Sequence, residues 1–362
     1  MNLKRTCFKL GIIMVVFFVS GMVCSVLVTL MNEQLTQTLS VTARYCLRLS
    51  FSGLFLYIIP IVVAKVILRD ENQSRFGELY KKPPRMAKAL GNFPAMYGLG
   101  QITNLTALFV VWIISKLQSV GVESGVETES LERSFGTMNS LIPPNIICGI
   151  VLFIHMVFAA ALFEEYLCRG LLLDALKPYG KGFSIIVTGF LFGIMHGNLQ
   201  QFFYTFVVGI VLAYITVQTG SILAATVLHA LFNSLSGVMM LFLSTKTVQE
   251  VFMGEQPENK MSLALFGMFF VLMIGLIVAG IALAIRKLSL IKSHIRAISE
   301  IDKADALEAE VEDDNAPESK TAMPNRWIVF FTSVPVIFML VLTVERFTGS
   351  VVAAKLYEMI WG

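Results

Sequence analysis

The chain has 362 residues, of which 56% are hydrophobic and 15% charged, against about 45–50% apolar and about 25% charged residues in an ordinary soluble domain. Uncharged runs such as Leu10 to Met31 and Ser262 to Ile285 exceed the ~20 residues that cross a bilayer core. This excludes a soluble globule, a disordered chain, a collagen-like repeat and a disulfide-stapled secreted domain. The net charge of +3, with its basic residues dispersed in loops, gives no ground for a nucleic-acid partner.

The expected fold class is all-α: a polytopic helical membrane protein of eight or nine transmembrane helices, its active site within the membrane. The first apolar run, Phe8 to Met31, follows Lys4, Arg5 and Lys9 as a signal peptide would. No small-x-small site closes it, so it reads as a retained helix. Cys24 follows Val23 rather than a small residue, which argues against a lipoprotein anchor. The five cysteines form no CxxC pair, so neither a zinc knuckle nor a disulfide framework is indicated. Further spans are expected at about 49–68, 94–114, 145–173, 183–196, 202–218, 221–243, 262–285 and 327–344. The fifth is the shortest.

Cytoplasmic loops should hold the excess of Lys and Arg. Arg69, Arg75, Lys81, Lys82, Arg85 and Lys88 follow the second span, Lys177 and Lys181 the fourth, and Arg286, Lys287, Lys292 and Arg296 the eighth. Glu123, Glu127, Glu129 and Glu132, opposed only by Arg133, precede the fourth. The pattern puts the N-terminus and the Lys177 region inside and the C-terminus outside. The acidic segment from Glu300 to Asp314, before Pro317, reads as a surface helix fraying into a tether for the last span. No internal repeat is visible, which weakens an inverted-repeat transporter reading. Three regions result: 1–144 with the first three spans, a core at 145–245 with spans four to seven, and 246–362 with the last two spans and their acidic cytoplasmic linker.

Ionisable side chains inside a span call for a partner or a function, and here they cluster. The fourth span holds Glu164, Glu165 and Arg169, the fifth ends in Phe192 and His196, and the seventh holds His229 and Asn233. Glu165 and Arg169 are four apart, carboxylate first, the favourable order for an intrahelical pair. Glu164 lies ~100° round the helix with no cation at i+3 or i+4. Its partner must come from another helix, or the acid must be protonated. His229 and Asn233 share a face, as do Phe192 and His196. A rise of ~1.5 Å per residue places Glu164, His196 and His229 about 18, 20 and 12 Å from the inner side, near enough to converge. His155, nine residues before Glu164, falls on the opposite face at ~100° per residue and reads as structural. Cys168 reads as inert packing. Gly170, Gly193, Gly197 and Gly209 read as sites of close helix approach.

In their order, Glu164-Glu165-x-x-x-Arg169, Phe192-x-x-x-His196 and His229-x-x-x-Asn233 resemble the three motifs of the CPBP intramembrane endopeptidases, also called the CAAX-protease and bacteriocin-processing or Abi family. The resemblance covers 163–235, and Gly209 with the run Gln218 to Ser221 is similar to bacterial members. It implies a peptidase of the bacterial cell membrane acting on a peptide or membrane-protein substrate, with catalytic residues Glu164, His196, His229 and Asn233. Glu164 activates water, His196 holds it, and His229 with Asn233 stabilises the oxyanion. Glu165, Arg169 and Phe192 support the site. No cofactor is required in this reading. Glu164, His196 and His229 also resemble a three-ligand zinc site, but HExxH is missing and an amide after His229 suits hydrogen bonding better. The alternative from another class is a non-catalytic membrane factor, for self-immunity or scaffolding, although such a relative is expected to have lost one of these residues.

Overall fold

The computed structural model describes residues 2–35, 38–70, 76–119, 142–257, 259–311 and 325–348. The acidic loop from Glu123 to Arg133, Arg75 and the segment around Pro317 lie outside these. Among the described residues the chain is helical throughout, with no strand. In a bilayer every backbone amide must be paired within its own segment, which helices achieve. Each of the nine expected runs is helical. Among the described residues six helices are long and apolar enough to cross a membrane: Leu3–Met31, Val41–Ile67, Ile146–Tyr179, Gln201–Thr219, Ile222–Leu243 and Lys260–Arg286.

The remaining three runs are also helical. The third is a helix over Phe93–Ser119 that crosses the eighth at Gly98 and Gly280. A side chain on either glycine would run into the backbone of the opposite helix, so only glycine lets them approach this closely. The fifth, Lys181–Met195, has 15 residues, about 22 Å at 1.5 Å per residue, short of a ~30 Å core. It is walled by protein instead: Phe183, Val187, Leu191, Phe192 and Ile194 are all buried. The ninth is two helices, Arg326–Phe331 and Val334–Thr348, broken at Thr332 and Ser333 ahead of Pro335. Proline there cannot donate to the preceding turn. The eighth helix runs without a break over Lys260–Val311, so the segment from Arg286 up to Val311 continues the helix beyond the span Lys260–Arg286.

Side-chain caps set the other ends. Ser40 accepts from Ala43 N and Asn145 from Cys148 N, pairing amides that the first turn leaves without partners. The run Gln218 to Ser221 is the turn between the sixth and seventh spans. Gly220 closes the sixth in the left-handed region at φ 67°, and Ser221 caps the seventh by accepting from Leu223 N.

Among the described residues the two larger apolar cores are as follows. One joins spans one, two, four, five and nine through Leu10, Phe18, Ala64, Leu172, Phe192 and Phe330. The first helix is thus an integral part of this core. The second core gathers spans three, six and seven through Tyr97, Leu212, Leu228 and Phe232, with the eighth packed against it. Spans four to seven pack successively at the seam, and the polar residues singled out above are found there.

Candidate functional site

The fourth span is not a regular α-helix. It runs as Ile146–Ile154, a π-helical segment His155–Ala160, the short helix Ala161–Glu165, a second π segment Tyr166–Leu172, and Leu173–Leu176. The wide turns therefore flank the two glutamates. Such segments insert a residue into the helical count and turn everything beyond by about one residue's rotation, ~100°. The second span has its own π segment, Leu54–Ile58.

Arg169 is fully buried, and its environment explains how a guanidinium is tolerated there. Nη1 donates to Glu165 Oε1 at 2.8 Å and Nη2 to the Gly209 carbonyl at 2.9 Å. Its cationic centre stands 4.5 Å from the centroid of the Phe192 ring, a cation–π contact. The intrahelical pair expected from spacing is thus present. Gly209 serves it by close approach, since a Cβ there would lie 3.1 Å from Gly189 Cα on the fifth span.

Glu165 has a second partner that spacing did not show. His229 Nδ1 lies 2.9 Å from the same Oε1. A carboxylate only accepts, so Nδ1 carries the hydrogen and Nε2 faces the other way. Nε2 stands 3.9 Å from Glu164 Oε2. Glu164 therefore faces an imidazole of another helix, one of the two outcomes that its lack of a local cation left open. The two acids differ in access: the Glu165 side chain is 0% exposed and that of Glu164 16%. Glu164 is the one water can reach.

His196 ends the fifth helix, its Nδ1 2.8 Å from the Phe192 carbonyl. A carbonyl also only accepts, so Nδ1 donates and Nε2 is left as an acceptor. His196 interacts electrostatically with Glu164 and His229. The Phe192 ring meets both imidazoles edge-on, at 5.0 Å from His196 and 5.6 Å from His229, and so spaces them. Asn233 Nδ2 donates to the Met156 carbonyl, in the first π segment, at 2.9 Å. This ties the seventh span to the wide turn and leaves the second amide hydrogen. Gly197 differs from the reading above: at φ 68° it makes the left-handed turn after His196, where a Cβ is disfavoured, rather than a helix contact. Cys168 is buried, its Sγ 3.6 Å from Met195 Sδ, in agreement with a packing role.

Three residues that the sequence reading did not place at the site, His155 among them as a structural residue, also lie near Glu164. Tyr57 interacts electrostatically with its carboxylate. His155 and Tyr204 interact with it electrostatically. His155 comes nearer this side because the π segment that begins with it takes ~100° off the half-turn offset of a regular helix. At the end of the bundle that holds Ser221, the segment Phe76–Tyr80 bridges the fourth and seventh helices. Tyr80 Oη donates to the Leu162 carbonyl at 3.3 Å, and Ser221 Oγ donates to the Leu79 carbonyl at 3.2 Å. Burial pushes the Tyr80 phenol up to about 12, so it stays a donor at ordinary pH.

The zinc alternative depends on whether the donors gather. Among the described residues no three His, Cys, Asp or Glu side chains come together as a group able to hold one metal ion.

Fold and site together define a helical integral membrane protein with a carboxylate–imidazole centre inside its bundle. Residues 146–235 match the family described as type II CAAX prenyl endopeptidase, Rce1-like, which bears out the resemblance read from the three motifs. No curated protein matches the chain. No solved structure matches it either.

Proposed function

We propose that the protein is an intramembrane endopeptidase in which Glu164 activates water against a peptide bond of a membrane-associated substrate. The observation that carries this reading is the inequality of the paired glutamates. Glu165 is committed to Arg169 and His229, whereas Glu164 is partly accessible and faced by imidazoles. Glu164 takes a proton from a water whose other hydrogen is accepted by His196 Nε2, and the water oxygen adds to the scissile carbonyl. Glu165 holds Nδ1–H of His229 and so fixes the direction in which its Nε2 points. With a proton on Nε2, His229 donates to the developing oxyanion, beside the remaining Asn233 hydrogen. Collapse of the intermediate breaks the C–N bond as Glu164 returns its proton to the leaving amine.

Mass spectrometry of membrane peptides from cells expressing the wild type or Glu164→Gln tests this. New peptide termini should appear only with the wild type. Identical peptide sets from the two would contradict the reading.

The mechanism uses no metal, and its test is direct. Protein treated with a membrane-permeant chelator should keep its turnover, and elemental analysis should find well under one zinc per chain. Stoichiometric zinc, with activity lost on chelation and restored only by re-addition, would overturn the glutamate mechanism.

The loop charges orient the cavity toward the cytoplasm. Ser221 is unsuited to a labelling test because it is buried and bonded to Leu79, but Lys181, at the same end of the bundle, is exposed. On a background lacking the five native cysteines, Lys181→Cys should react with an impermeant thiol reagent only in inverted vesicles. Reaction in intact cells would reverse the orientation.

A further inference from the structure

Tyr57 and His155 make an arrangement that the three motifs do not contain, and Tyr57 lies outside the matched residues 146–235. Both sit in π-helical segments, Tyr57 in Leu54–Ile58 and His155 in His155–Ala160. The Tyr57 ring is held between two others, its centroid 5.6 Å from His155 and 5.6 Å from Phe163, with interplanar angles of 29° and 18°. This stack fixes where its hydroxyl points. Oη stands 3.5 Å from His155 Nε2, and the phenol interacts electrostatically with the Glu164 carboxylate, the residue that follows Phe163. A tyrosine between a carboxylate and an imidazole has one consistent polarity: Nε2–H faces the phenol oxygen, and the phenol O–H is donated to the carboxylate.

We infer that Tyr57 is a positioning residue for Glu164, its hydroxyl fixing the carboxylate toward the reacting water, and that His155 acts through Tyr57 by orienting that hydroxyl. The inference rests on Glu164 being the water-activating base. Phe163 and His155 supply the flat walls that stop the phenol from turning, and the two wide turns bring both rings to this side of their spans. Glu164 is thus held from the second span as well as from the seventh. Without the hydroxyl it keeps His229, His196 and Tyr204 around it but loses a donor fixed by packing. The carboxylate then visits orientations that do not meet the water, which lowers turnover without altering how substrate is held.

The test uses full-length protein in detergent and an internally quenched farnesylated peptide ending in a CAAX sequence. Tyr57→Phe and His155→Phe each keep a ring in the stack while removing the polar atom. Tyr57→Phe should lower kcat on the order of ten- to a hundredfold, the scale of a lost hydrogen bond to a charged group, with KM and thermal midpoint unchanged. His155→Phe should lower kcat less. The double variant should match Tyr57→Phe alone, because residues acting in one chain are not additive. Tyr57→Phe with kcat within twofold of wild type overturns the proposal, as does a loss of kcat that comes with a lowered thermal midpoint. So does a double variant whose loss is the product of the two singles. Glu164→Gln, run alongside, separates the two claims. If it is inactive while Tyr57→Phe is normal, the base survives and the positioning role fails. If it is active, the base assignment itself fails.

Discussion

Arg169→Ala should lower the stability of the protein by about 3–5 kcal/mol, the scale for breaking a buried ion pair from one side. The guanidinium is bonded to Glu165 and to the Gly209 carbonyl, with Phe192 against its face. Its removal strands a fully buried carboxylate with only His229 to compensate. It also leaves the Gly209 carbonyl without its side-chain donor and opens a gap where the fourth, fifth and sixth spans meet. Thermal unfolding in detergent should show a clearly lowered midpoint, and expression should fall with it. Arg169→Lys should recover part of the loss, since an ammonium can reach Glu165 but cannot span both acceptors in the fixed fork of a guanidinium. An alanine variant with wild-type stability would show that the pair does not hold the seam together.

Glu164→Gln should abolish cleavage while leaving stability nearly unchanged. Glutamine keeps the shape and can still hydrogen-bond to Tyr57, but its amide does not accept a proton from water at neutral pH. Loss of a positioned general base costs about 10²–10⁴-fold, and the same group must here also deliver the proton to the leaving amine. The contrast with Arg169→Ala is the informative part. One variant should be folded and inactive, the other unstable. If purified Glu164→Gln turned over the farnesylated peptide at the wild-type rate, the base assignment would be wrong.

Much of this was legible in the sequence. Long apolar runs located the helices because hydrocarbon thickness sets their length, and Glu165 with Arg169 announced their bond by spacing alone. Glu164, lacking a local cation, had to be met from another helix, and His229 meets it. What sequence periodicity misses is a change of period. A regular 100° step puts His155 on the far side of the fourth span, and only the π segment His155–Ala160 turns it toward Glu164. Tyr57 was hidden for the same reason and because it belongs to a span without a motif. Its phenol inside an apolar run was the available signal. That His229 bonds Glu165 as well as facing Glu164 depends on the approach of two helices, which spacing along one does not encode. The break before Pro335 was legible in principle, since proline inside an apolar run marks a discontinuity. The left-handed turn at Gly197 was not separable from the helix-contact glycines, because both roles ask for the same missing Cβ.

The central claim is that Glu164 delivers water to a peptide bond, and turnover of the farnesylated CAAX peptide in H₂¹⁸O tests it most directly. With the wild type, mass spectrometry should find one ¹⁸O in the newly formed carboxyl group of the released product, and with Glu164→Gln no such product. A labelled product formed equally well by Glu164→Gln, or no cleavage by folded wild-type protein, would contradict it.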